Sequence, residues 1–229
     1  IGAGLIGVIA LVAIFAPAFL LPLAAIAISL RRYWREVGGT RVTLSDLHGA
    51  FRSAATMRNL SGGQGQGCNF EEGDRYSNRR RWLHQAVMYG FLLCFASTSS
   101  GTLMHYLLGL EAPYAWYSLP KLLGVPGGVL LVIGGAGLAW LKTKADPELG
   151  APALWGGEMA FVLLLVFVGA TGLLLYAATG TGAVGWLLAV HLGSVLAFFL
   201  LTPYSKMIHG FYRMAALTRD AQLKSGPQA

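Results

Sequence analysis

Four histidines stand within or at the ends of the apolar stretches of this chain: His84, His105, His191 and His209. Ionisable side chains are expensive at membrane depth, and those found there usually mark a functional path. His84 and His105 lie 21 residues apart in "RRRWLHQAVMYGFLLCFASTSSGTLMHYLLG", and His191 and His209 lie 18 apart in "LLAVHLGSVLAFFLLTPYSKMIHGFYR". Neutral imidazole is a good iron ligand, and a haem held between two helices takes one axial histidine from each. Two such sites are expected if the two stretches run antiparallel.

The elements that must position these residues are transmembrane helices. Of the 229 residues 55% are hydrophobic and 12% charged, with a mean hydropathy of +0.58. Soluble domains carry about 25% charged residues, so the composition points to an integral membrane protein. Five runs reach the roughly 20 apolar residues that a spanning helix needs: about 3–30, 82–108, 120–141, 155–178 and 184–213. Lipid cannot satisfy free backbone groups, so each run is expected to be helical. The fold class is therefore all-α, an integral membrane bundle of five transmembrane helices. The expected segments are a first transmembrane helix at 1–30, a basic loop with a short amphipathic helix at 31–81, a four-helix haem-binding membrane domain at 82–218, and a tail at 219–229. The first run has no basic segment ahead of it and is longer than a signal-peptide core, so it reads as a true span.

Basic residues set the direction. Ten of the 17 Lys and Arg residues fall between residues 31 and 81, and Lys142, Lys144, Lys206, Arg213, Arg219 and Lys224 follow the third and fifth runs. The loops at about 109–119 and 179–184 have none; Lys121, at a helix start, is the one exception. The positive-inside rule then puts the 31–81 loop, the 142–154 loop and the C-terminus in the cytoplasm. The net charge of +7 is explained by topology and attraction to anionic lipid, without nucleic acid. "TLSDLHGAFRSAATMRNL" predicts the amphipathic helix, capped by Thr43 or Ser45; its His48 reads as an ordinary surface histidine.

With this topology the second helix runs outward and the fifth inward. His84 and His209 then share the cytoplasmic level, and His105 and His191 the outer level. Straight helices separate the ligands by about 32 Å on the second helix and about 27 Å on the fifth. That mismatch calls for tilt or bending, and Pro203 is the expected kink. Eighteen residues is five helical turns, so His191 and His209 would share a face. Gly90 and Gly101 would let a porphyrin approach the second helix, or serve ordinary helix packing. The Gly-rich third run reads as packing.

Other uses of the histidines fit less well. Neither pair has Cys, Asp or Glu at a spacing suited to zinc. No carboxylate stands beside them for a proton relay, and Glu158 reads as interfacial. Cys68 and Cys94 make no CxxC or CxxCH pattern, which argues against an iron–sulfur site or attached c-type haem. Cys94 reads as a packing residue and Cys68 as a neutral loop cysteine.

The quoted stretches, with "APYAWYSLPKLLGVPGG", resemble the membrane part of the tricarballylate/citrate utilization protein B family, from about Arg31 to Thr218. The layout is also similar to the five-helix dihaem membrane subunit of respiratory nitrate reductase. The resemblance implies a membrane cytochrome b with two haem b groups in the bacterial cytoplasmic (inner) membrane, with His84, His105, His191 and His209 at the ligand positions. It implies electron transfer between a cytoplasmic flavoprotein or iron–sulfur partner and the quinone pool, as the electron-transfer subunit of a quinone-linked oxidoreductase. The resemblance also implies a ferredoxin-like region, expected upstream of Ile1 or supplied by another subunit. Tyr106, Tyr204 and Lys206 are candidate partners for quinone or haem propionates, as are Arg79, Arg80 and Arg81 for propionates; interfacial anchoring and topology are the competing roles. The rival classes are a transporter component and a haem-free structural subunit of a larger membrane complex. A transporter would predict internal repeats around a midplane site, and none is evident.

Overall fold

The computed structural model describes residues 2–58, 70–71, 75–144 and 152–225. Its helices are α1 (Gly2–Glu36), α2 (Leu44–Ala55), α3 (Arg79–Leu108), α4 (Leu119–Thr143), α5 (Pro152–Ala177), α6 (Val184–Leu201) and α7 (Ile208–Ser225). A 3-10 turn, Thr202–Tyr204, follows α6. A two-residue antiparallel ladder pairs Phe70 with Tyr76 and Glu71 with Arg75. Five helices are long and apolar enough to cross a membrane: Ile9–Glu36, Arg79–Leu108, Leu119–Thr143, Leu154–Ala177 and Val184–Tyr204. The all-helical, five-span reading of the sequence stands. Large apolar side chains such as Leu21, Leu107 and Trp186 stay exposed on these helices, as a lipid-facing surface requires.

The chain forms two compact units, residues 60–195 and residues 1–59 with 196–229. In the first, α4 is the central element, packed between α3 and α5. Four of its six glycines come in two adjacent pairs, Gly127–Gly128 and Gly134–Gly135, and neighbouring residues on a helix point about 100° apart. Each pair therefore serves two partners. A Cβ on Gly127 would lie 2.9 Å from the Cys94 amide nitrogen of α3, and one on Gly134 would lie 2.8 Å from the Leu83 carbonyl and the Val87 nitrogen. Gly128 and Gly135 face the other way, against Leu173 and Val166 of α5. Small residues let backbones approach closely where lipid supplies no hydrophobic drive between helices.

Gly90 completes the α3–α4 contact. It is buried, and a Cβ there would sit 2.6 Å from the Leu131 nitrogen. That position belongs to helix packing, not to an approaching porphyrin. Gly101 faces Tyr114 and Pro120 at ordinary contact distances. The Ser97 hydroxyl donates to the Pro120 carbonyl at 2.6 Å, pinning the start of α4 to α3. The two ends of the α4–α5 pair are each clasped by a lysine. Lys121 lies 4.2 Å from the Tyr176 ring centroid, and Lys142 pairs with Glu158 and lies 5.7 Å from the Trp155 ring. Lys121 thus has a packing role that accounts for its place outside the charge pattern.

In the second unit α7 packs on α2 and α1. Thr43 caps α2 through a capping box: the Asp46 amide donates to Thr43 Oγ1 at 3.2 Å, and the Thr43 amide donates to Asp46 Oδ2 at 2.9 Å. Gln222 Nε2 of α7 donates to the same carboxylate at 3.4 Å, and Arg219 Nε donates to the Val37 carbonyl at 3.1 Å. The stretch from residue 219, expected as a tail, is therefore helical to Ser225 and bonded to the α1–α2 connection.

The Thr43 donors, backbone first and then hydroxyl, hold the Asp46 carboxyl below its ordinary pKa, with Gln222 adding to them against the opposing effect of burial. A depressed folded-state pKa contributes stability above the unfolded pKa, and that contribution is lost as pH falls through the folded value. Amide exchange in α2, corrected for intrinsic rates, is thus expected to accelerate as pH drops through the acid end of the carboxylate range. Asp46→Asn is expected to flatten that dependence. Thr43→Ala is expected to weaken α2 by about 1 kcal/mol at neutral pH.

The fifth apolar run departs from the continuous helix expected over 184–213. Pro203 has no N–H and its ring crowds the carbonyl four residues back, so α6 closes at Leu201 and tightens into the 3-10 turn. Ser205 is extended, and its Oγ accepts from the Met207 amide at 3.3 Å, opening α7. The proline does more than kink the helix: it ends it. The ~27 Å and shared-face arithmetic for His191 and His209 therefore does not apply, because His209 sits in the first turn of a separate helix.

Candidate functional site

The structure places the four histidines on three helices. α3 is continuous through His84 and His105, so the ~32 Å separation of those two positions stands. His84 is half-buried in the second turn, just after Arg79, Arg80 and Arg81. His105 is exposed in the last turn of α3, its ring edge-on to Tyr106 at 4.9 Å between centroids. Gly109 ends this helix with φ +63°, and its amide and that of Leu110 both return to the Met104 carbonyl.

His191 is half-buried in the middle of α6 and touches α5. Its Nδ1 lies 3.0 Å from Thr171 Oγ1. A Cβ added to the neighbouring Gly172 would fall 3.1 Å from its Cε1, so the ring rests on the α5 backbone at that glycine. Ser194 Oγ donates to the His191 carbonyl at 2.7 Å. His191 and His105 share no hydrogen bond or ring contact with each other.

His209 lies in the unit formed by residues 1–59 and 196–229. It is exposed, with Nδ1 hydrogen-bonded to the Lys206 carbonyl oxygen. A carbonyl only accepts, so Nδ1 carries the proton and the lone pair of the neutral ring resides on Nε2.

The remaining candidates sort quickly. Tyr106 touches His105, while Tyr204 and Lys206 are exposed at the break before α7. His48 is exposed on α2. Glu158 is the ion-pair partner of Lys142. Cys94 packs against Gly127, as its apolar setting suggested; Cys68 lies outside the described residues. Among the described residues no group of three or more His, Cys, Asp or Glu side chains converges. Thr171 is the residue that sequence reasoning missed. The available signal was a hydroxyl deep inside "LLLVFVGATGLLLY", where polar groups are rare and need a partner.

The five apolar spans and their glycine-mediated packing define a multi-pass helical membrane protein. The model of the family described as citrate utilization protein B matches residues 5–229, and the chain belongs to that family. It is 40% identical to the citrate utilization protein B of Escherichia coli over 216 residues, which cover 94% of this chain and 57% of the relative. The chain thus spans little more than half the length of that relative. No solved structure matches it.

Proposed function

We propose that this chain is a membrane dihaem cytochrome b of the bacterial inner membrane, with its C-terminus in the cytoplasm, passing electrons between a cytoplasmic flavoprotein or iron–sulfur partner and the quinone pool. What supports this reading is the sequence pattern of four histidines, two in each of two apolar stretches that the basic residues would run antiparallel. In this reading His84 would share one haem with His209, and His105 the other with His191.

The donor chemistry fits axial coordination. At His209 the bond to Lys206 engages Nδ1, so Nε2 is the nitrogen that would meet iron. At His191 the glycine beside the ring leaves room for a flat imidazole face. Haem, when bound, supplies one-electron redox chemistry. The residues of the chain supply the ligands, hold them in orientation and surround them with apolar helices that exclude water. Arg79, Arg80 and Arg81 stand one turn from His84, placed to balance negative charge at the cytoplasmic level. The ten Lys and Arg residues that the sequence carries between 31 and 81 would favour an acidic donor protein.

The test is a reduced-minus-oxidised visible spectrum of the detergent-purified chain, with the haem-to-protein ratio from a pyridine haemochrome assay. A b-type spectrum at about two haems per chain is the expected result. A well-folded preparation without haem would overturn the reading and return the histidines to packing, in a structural or transport subunit.

A further inference from the structure

We infer that Thr171 is a positioning residue for His191: its hydroxyl holds the imidazole as the Nδ1–H tautomer, so that Nε2 carries the lone pair. This deepens the proposed electron-transfer function, on which its relevance to iron ligation rests.

The hydrogen-bond inventory supports this assignment. Thr171 Oγ1 lies 2.8 Å from the Phe167 carbonyl, 3.1 Å from the Val168 carbonyl and 3.0 Å from His191 Nδ1. A hydroxyl has one proton to give and two lone pairs to receive with. Both carbonyls can only accept. The bond to Phe167 is the ordinary back-bond of a threonine within a helix, to the carbonyl four residues earlier. With its proton engaged there, Oγ1 can serve His191 only as an acceptor, and Nδ1 must donate. The reverse arrangement, Oγ1 donating to Nδ1, would put the ring proton on Nε2 and block that nitrogen as a metal ligand.

Burial makes the preference durable. Thr171 is 4% exposed, so water does not compete for the bond, and in a low-dielectric setting such bonds are stronger and costlier to leave unmade. Gly172 fixes the second coordinate. A side chain there would meet Cε1 at 3.1 Å and lies 3.8 Å from Nε2, so the imidazole can lie flat on α5. The hydroxyl and the glycine, adjacent on one helix, thus set the tautomer and the plane of a ring on another. Partners of this kind fix ligand orientation in metal proteins generally.

The experiment compares Thr171→Val and Thr171→Ser with the wild-type chain, each as purified in detergent and reduced. Nitrogen-15 histidine NMR reads the His191 ring, assigned by its disappearance in His191→Ala. The wild type is expected to show a His191 Nδ1–H proton protected from exchange. Thr171→Val is expected to speed that exchange about tenfold and weaken haem retention about tenfold at one of the two sites. Thr171→Ser is expected to restore both. A His191 ring protonated on Nε2 instead, or a Thr171→Val chain whose exchange is unchanged, would overturn the inference. Should the wild type carry no haem, the ring-proton measurement still decides the role of Thr171, so the two readings fail separately.

Discussion

His84→Ala and His209→Ala are each expected to remove the same one of about two b haems, and His105→Ala and His191→Ala the other. The pairing makes a sharper demand than haem content does. Both ligands of one haem act as a unit, so His84→Ala/His209→Ala should lose little more than either single variant. His84→Ala/His191→Ala should instead lose nearly all b-type absorbance. Redox titration of the single variants should leave one component each, identical within a pair and different between pairs. If His84→Ala and His191→Ala removed the same component, the level-by-level assignment would be wrong even though the chain bound haem. That outcome would also change the path of electrons, because the pairs stand at opposite faces in the proposed topology.

The second large effect concerns the helix contact that carries His84 and His105. Gly134→Leu is expected to dismantle the α3–α4 contact, and Gly134→Ala to destabilise it by about 3 kcal/mol, the upper part of the overpacking range. The severity comes from what the new Cβ meets. At Gly134 it would lie 2.8 Å from a backbone oxygen and a backbone nitrogen of α3, which cannot rotate aside as a side chain can. At Gly128 the obstacle is the Leu173 side chain, and Gly128→Ala should cost less. At Gly156 nothing lies within 4 Å, so Gly156→Ala should be neutral or stabilising by about 0.5–1 kcal/mol. Thermal unfolding of the three alanine variants in one detergent would rank them. Equal losses at Gly134 and Gly156 would show that the close approach of the two helices does not govern stability. Any loss of haem in Gly134→Leu should affect both sites, since α3 holds one proposed ligand of each.

Several features were legible from local rules. The five spans follow from apolar run length, which lipid makes nearly sufficient evidence for helix. The sequence offered Thr43 or Ser45 as the cap of α2, and the structure takes Thr43, with Asp46 three residues on completing the box. Cys94 as a packing residue follows from its immediate neighbours. The reading went wrong where one local rule overrode another. The run 184–213 is apolar enough to be a single helix, yet Pro203, with Ser205 two residues on, ends α6 and starts α7. Hydropathy measures cost in lipid and is blind to the loss of one amide donor.

By itself, then, the sequence determined the all-helical membrane class and the number of spans, and it marked four histidines within or at the ends of the apolar runs. These depend on composition and on spacing along one chain. The tertiary structure alone decided that Gly127 and Gly134 serve α3 while Gly128 and Gly135 serve α5, that Gly90 is filled by α4 backbone, that Lys121 meets Tyr176, and that Thr171 holds His191. Each of these joins residues on different helices. Helical periodicity says which residues share a face, but not which helix that face will meet, because the choice is made by packing between segments distant in sequence.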